Sequence, residues 1–154
     1  MTTVGKPASR HPRKKRTVGG ARAAQKEDKR TRIRDAALEL FTTTGFDTAT
    51  MAEVAARAGV AKGTLFLYAS DKDDLVCLVM HDRLATTVDR AWDSMPRDAT
   101  LEASLVHVFS TLLRGYGEIP ELAAAFVRVF ASARGPNGRR IGALTFGFLF
   151  RLAG

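Results

Sequence analysis

Apolar residues recur along this chain at i, i+3, i+4 and i+7, and that spacing restricts the fold more than any other feature. Ile33, Ala36, Ala37, Leu40 and Phe41 form one such stripe, the mark of a helix of period 3.6 that turns one face to a core. Leu75, Leu78, Val79, Val88, Ala91, Trp92 and Met95 form a longer stripe, and Leu101, Leu105, Val108, Phe109 and Leu112 another. No segment alternates with period two for long enough to be a strand, so the chain reads as all-α.

Local signals divide these stripes into helices. The first helix is expected from about Lys26 to Gly45, where a glycine that tolerates positive φ follows the poor helix formers Thr42, Thr43 and Thr44. Thr50-Met51-Ala52-Glu53 has the pattern of a capping box, in which hydroxyl and carboxylate each satisfy the other residue's backbone amide. It opens a second helix, Met51 to Ala58. Gly59 can make the tight turn and Val60 can plug the angle before a third helix over about Lys62 to Tyr68. Leu65 is its core anchor, which leaves Lys62, Gly63, Thr64, Phe66 and Tyr68 for the outside. Ser70 and the acidic run Asp71 to Asp74 start a long fourth helix that Pro96 closes. A fifth spans about Leu101 to Tyr116, and Pro120 opens a sixth, Glu121 to Ala133. Arg134 to Arg140 reads as a loop from its Gly-Pro-Asn-Gly composition, and an apolar seventh helix begins near Ile141.

Charge then separates the two ends. The 154 residues carry a net charge of +8. Met1 to Arg34 holds twelve basic and two acidic residues, so the rest of the chain has a balance of −2. Residues 1–24, with Pro7, Pro12 and several glycines, lack the apolar side chains that offset the entropy of ordering and read as a disordered basic arm. Residues 25–72 then form a helix-turn-helix head, and residues 73–154 a helical regulatory and dimerisation domain. A lone Cys77 points to a reducing, cytoplasmic setting. His11, His81 and His107 lie apart from one another and from Cys77, so no metal site is expected, nor any cofactor. The basic run Arg10 to Arg16 precedes no signal-peptide core, and Ile141 to Phe150 is too short to span a bilayer, so no membrane partner is expected. No nucleophile stands next to a base and no glycine loop cradles a phosphate, so the chain does not read as an enzyme.

Two short helices joined by a glycine turn, with an exposed polar and aromatic face, suit a DNA major groove, though alone they equally suit a helical corner in a bundle. The continuous run decides more. Thr31-Arg-Ile-Arg-Asp-Ala-Ala-Leu-Glu-Leu-Phe, Gly45-Phe46, the stretch Thr48 to Tyr68 and Asp71-Lys-Asp-Asp-Leu75 together resemble the tetracycline-repressor (TetR) family of bacterial transcriptional regulators.

The resemblance implies that Thr50 touches a phosphate and that Lys62, Gly63 and Thr64 meet bases and backbone of double-stranded DNA. Phe66 stands where the family usually has Tyr, which exchanges a hydroxyl contact for an apolar one, such as a thymine methyl. Tyr68 keeps a hydroxyl for phosphate, and Lys72 joins the start of the fourth helix in holding another. Ala69 replaces the family's usual bulky residue and removes a core anchor there. In the basic arm, Arg10, Arg13, Lys14, Lys15, Arg16 and Arg22 either follow the DNA backbone or minor groove or form a solvated tail.

The resemblance further implies a ligand-responsive repressor that binds a palindromic operator as a homodimer, with a small-molecule effector in the helices after the head. Trp92, Met95, His107, Tyr116, Phe126 and Phe130 are the candidate pocket residues, since such pockets are mostly apolar; each is also a natural core residue. Family members usually continue for several tens of residues more. The chain is therefore expected to be a truncated form with a self-associating apolar surface, or to pair through its seventh helix and the apolar face of its sixth. The alternative function is a non-specific nucleic-acid-binding protein dominated by the basic arm.

Overall fold

The computed structural model describes residues 18–153, which are helical with no strand among them. Seven α-helices follow in order: α1 Val18–Leu40, α2 Met51–Arg57, α3 Lys62–Leu65, α4 Lys72–Asp93, α5 Leu101–Gly117, α6 Pro120–Phe130 and α7 Pro136–Ala153. Helices α1 to α3 make the head. Helix α4 leaves the head and runs through the body, packing against α1, α5, α6 and α7.

This central position explains the burial of α4. Every residue from Asp74 to Met80 is buried, whereas the stripe read from the sequence marked only Leu75, Leu78 and Val79 there. A helix apolar all round belongs inside a core, and here α1, α6 and α7 surround it. The main core is continuous from head to body, running from Ile33, Phe41, Val54 and Leu65 through Leu78 to Leu122, Phe126 and Ile141. Val88, Ala91, Val108 and Phe148 form a second cluster at the far end, against which Trp92 and Met95 pack.

The local signals mostly hold. Helix α1 passes at Phe41 into a π-helical segment that ends at Gly45, whose φ is +92°. Thr42 and Thr43 donate their hydroxyls to the carbonyls of Leu38 and Glu39, the back-bonding by which such residues loosen a helix. Thr50 and Glu53 make the capping box in full, and Gly59 turns the chain at φ +64°.

Boundaries and faces differ from the sequence reading in several places; α6, for one, ends at Phe130 rather than at Ala133. Helix α1 begins at Val18 rather than near Lys26, so the basic arm assigned to residues 1–24 overlaps a helix over 18–24. Ala21 to Lys26 are good helix formers, and their helix stands exposed beyond the core. Helix α3 ends at Leu65, and Phe66 to Tyr68 continue it as a turn with short-range bonds such as Tyr68 N–H to Leu65 O, 2.9 Å. The expected loop at Arg134–Arg140 is largely helix, because α7 starts at Pro136. On α5, Leu101 and Phe109 lie exposed; the contacts that helix makes are with α4 and α6, and they cover its other side.

Candidate nucleic-acid interface

The head is assembled so that α3 is presented outward. Leu65 is fully buried and anchors the short helix, while Lys62 and Gly63 are exposed and Thr64 is half-buried. Phe66 is 44% exposed and Leu67, not singled out from the sequence, is 81% exposed. Phe66 and Leu67 therefore give the turn after α3 an apolar edge beside a polar one. Helix α2 is held behind it by two arginines. Arg32 Nη1 donates to the Ala58 carbonyl at 2.9 Å, closing the C-terminal end of α2, and Arg57 pairs with Glu39 of α1.

The other expected contact residues are already engaged within the protein. The Thr50 hydroxyl accepts from the Glu53 N–H at 3.2 Å and donates to the Glu53 carboxylate at 2.7 Å, and the Thr50 N–H donates to the same carboxylate at 2.8 Å; the two bonds to the carboxylate hold the exposed Glu53 carboxyl below its usual range. Tyr68 is half-buried and its hydroxyl donates to the Lys26 carbonyl at 3.3 Å. Lys72 Nζ donates to the carbonyls of Asp47 and Ala49 at 2.9 and 3.2 Å and lies 4.8 Å from the centre of the Phe46 ring. Lys72 is thus first a strut between the start of α4 and the segment before α2, which leaves at most one of its three N–H groups for a phosphate. Ala69 is fully buried, so the small residue is accommodated and the core closes over it. Arg22 stands exposed on α1. Arg10, Arg13, Lys14, Lys15 and Arg16 lie outside the described residues.

In the body, two clefts adjoin. An apolar one of about 280 Å³ lies among α4, α5, α6 and α7, with Tyr116, Phe126, Phe130, Leu84 and Phe148 in its walls. A more polar one of about 560 Å³ lies between α4 and α5, where Arg83, Arg90, Arg114 and His107 meet. Leu84, Leu112 and Tyr116 line both. Burial pushes the Tyr116 hydroxyl's pKa up. The six sequence candidates therefore separate: Tyr116, Phe126 and Phe130 meet in the apolar cleft, His107 joins Tyr116 in the polar one, and Trp92 and Met95 belong to the second core cluster. There their partly buried side chains pack against Val88, Ala91, Val108 and Phe148. Arg83 and Arg90 were missed, although seven positions apart on one helix they share a face. Arg83 pairs with Glu118 at 2.6 Å, whereas Arg90 and Arg114 have no carboxylate partner among the described residues.

Residues 33–77, which run from the buried stripe of α1 to Cys77 in α4, match the sequence profile of the bacterial regulatory proteins of the tetR family. Over those residues the chain is similar to the tetR family. It is 30% identical over 86 residues to the fatty acid metabolism regulator protein of Bacillus subtilis (strain 168), an alignment that takes in 56% of this chain and 44% of that protein. Among solved structures it resembles Thermus thermophilus FadR, a TetR family transcriptional repressor determined with lauroyl-CoA, at 28% identity and a TM-score of 0.57 over 74% of this chain and 57% of that one. A TetR family transcription regulator from Marinobacter aquaeolei VT8 aligns at 26% identity and a TM-score of 0.51, covering 80% of this chain and 68% of the other. The chain thus spans less than half the length of the Bacillus relative. The tetR match coincides with the head and the buried part of α4; the clefts of the body lie mostly beyond it.

Proposed function

We propose that this chain is a tetR-family DNA-binding transcriptional regulator whose grip on a two-fold symmetric operator is released by a small-molecule effector. One observation carries the reading. The Gly59 turn sets α3 across α2 so that Lys62, Gly63, Phe66 and Leu67 project from the head with no partner element over them. Such a short outward helix fits a major groove about 12 Å wide. Lys62 and Thr64 meet base edges, Phe66 and Leu67 offer apolar contact to thymine methyls, and Thr50, Tyr68 and Lys72 lie at the phosphate-facing rim. Arg22 and the basic residues before it add salt-dependent attraction.

The effector reading rests on the paired clefts. An apolar space beside one carrying Arg83, Arg90 and Arg114 suits an amphiphile with an acyl chain and an anionic head, and a relative of known structure holds lauroyl-CoA. Coupling is then a matter of linkage: a ligand that favours the DNA-incompetent arrangement weakens DNA binding by the same factor that DNA weakens ligand binding. Pairing of two copies uses exposed apolar residues of the body, among them Phe146 and Phe150 of α7. The reading sets the protein beside its DNA in the bacterial cytoplasm, with no catalytic role; no helix among the described residues is long and apolar enough to cross a membrane.

Selection of tight binders from a random double-stranded DNA pool at near-physiological salt tests it. Enrichment of a palindrome, with release on adding lauroyl-CoA, is the expected result. No enrichment overturns sequence-specific regulation and leaves a non-specific basic segment, and enrichment without release overturns the effector assignment.

A further inference from the structure

A buried set of hydrogen bonds ties the last helix to the head, reaching Tyr68 by its backbone carbonyl and not by the hydroxyl expected at DNA. Asn137, the second residue of α7, is buried. Its Nδ2 donates to the Tyr68 carbonyl at 2.7 Å and to Asp74 Oδ2 at 3.0 Å. The backbone N–H groups of Asn137 and Gly138 donate to Asp74 Oδ1 at 2.8 and 3.0 Å, and that of Ser70 to Asp74 Oδ2 at 3.1 Å. Asp74 of α4 is therefore the cap of α7 and at the same time a brace for the turn after α3. The approach is close enough that a Cβ at Gly135 would lie 2.1 Å from the Asp74 carboxyl carbon.

The same helix lines the effector cleft. Ile141, Leu144, Thr145 and Phe148 of α7 form one wall of the apolar space, and Leu144 lies two turns from Asn137, about 10 Å along the axis. A rigid helix whose one end borders a cavity and whose other end grips the recognition turn is a lever. The second route from cleft to head, from α6 through Arg128 to Asp47 at 3.1 Å, is an exposed ion pair, and such pairs hold little. The buried amide is the stiffer link, because leaving the Tyr68 carbonyl without its donor in a low-dielectric interior is unfavourable.

We propose that Asn137 is a positioning residue: it transmits displacement of α7, caused by filling of the apolar cleft, to the recognition turn Phe66–Tyr68. The proposal rests on the effector reading of that cleft. It makes the Asn137 amide distinct from the α7 cap, since Asn137→Ala removes both Nδ2 bonds and keeps the backbone bonds to Asp74.

The test is a double-mutant cycle that requires neither effector nor DNA. Leu144→Phe places an aromatic ring in the cleft wall and takes up part of its space, and amide hydrogen exchange of residues 62–71 is followed in the parent, Leu144→Phe, Asn137→Ala and the combined protein. Leu144→Phe is expected to change exchange in that segment about five-fold or more in the parent, the lower end of ordinary coupling between sites, and to lose that effect when Asn137 is Ala. A merely structural Asn137 lowers thermal stability and leaves the response to Leu144→Phe intact, which overturns the proposal; so does a head that fails to respond in the parent. If Asn137→Ala does not fold, Asn137→Ser completes the same cycle. Failure of DNA selection or of release by lauroyl-CoA counts against the regulator reading, while the exchange cycle decides the role of Asn137.

Discussion

Arg30 grips Asp82 with both branches of its guanidinium, Nη1 to Oδ2 at 3.1 Å and Nη2 to Oδ1 at 3.0 Å, and so joins α1 to the middle of α4. Arg34 Nη1 adds a bond to Oδ2 at 3.1 Å, and His81 Nδ1 lies 3.0 Å from Oδ1. The Arg30 bond, opposed by partial burial and aided by His81 and Arg34, holds the Asp82 carboxyl well below the usual carboxylate range. A depressed folded pKa means that the unfolded chain takes up the proton first. The stabilisation is therefore present above about pH 4, the ordinary range for Asp, and is lost as pH falls through the lower folded value. Asp82→Ala should destabilise by about 2 kcal/mol at pH 7, less than a fully buried pair because the carboxylate is partly exposed. Acid titration of the melting temperature checks the sign: below pH 4 the gap between parent and variant should narrow.

Gly59 provides a second test, at the turn between α2 and α3. With φ at +64°, an alanine there takes a left-handed conformation that is unfavourable by about 1–2 kcal/mol. Gly59→Ala should lower the melting temperature by a few degrees and weaken DNA binding by more than its stability loss alone explains, because the same turn aims α3. A variant as stable as the parent would contradict the conformational argument.

Cys77 is buried in α4, and burial, with help from the Asp74 carboxylate, pushes its thiol up to about 12. The thiolate is the reactive form. Iodoacetamide at pH 8 should therefore leave the native protein unmodified and alkylate it fully in denaturant. The labelling rate in water then measures opening of the core; fast labelling of folded protein would show that α4 is accessible.

Lys62 and Lys72 should separate in their effects. Lys72→Met breaks the bonds to the Asp47 and Ala49 carbonyls, so it should lower both thermal stability and affinity for every DNA sequence. Lys62 is exposed and has no carboxylate partner among the described residues. Lys62→Ala should leave the melting temperature within about 2 °C, since surface changes rarely exceed about 0.5 kcal/mol, and alter which sequence is selected. Equal loss from both variants on all DNA would remove the division between positioning and reading.

The parts of this molecule legible in the sequence are those coded locally. The Thr50–Glu53 box, the Gly45 and Gly59 turns and the Leu65 anchor each depend on residues within a few positions, and each lies where the sequence put it. The start of helix α7 is not legible locally, because Gly-Pro-Asn-Gly is turn-like by itself. What makes it a helix start is Pro136 in its first turn together with the Asp74 carboxylate, supplied from 63 positions earlier to the Asn137 amide. The strut role of Lys72 was hidden for a similar reason, since its acceptors are carbonyls brought near by the fold and backbone carbonyls carry no sequence signal. Large apolar side chains are shared by core and cavity walls, so packing alone separates Trp92, in the second core cluster, from Phe126, in the wall of the apolar cleft.

The single tryptophan of the chain stands at the far end of the body, its ring 5.8 Å from that of Phe148 and 4.6 Å from the Arg151 guanidinium carbon. Its indole N–H is buried and has no acceptor among the described residues. Intrinsic fluorescence of this protein is thus a one-site optical reporter, placed among α4, α5 and α7 and remote from α3. Emission that shifts with an amphiphile and stays constant with an oligonucleotide records events at one end of α4 only, and a probe of the other end has to be added by labelling.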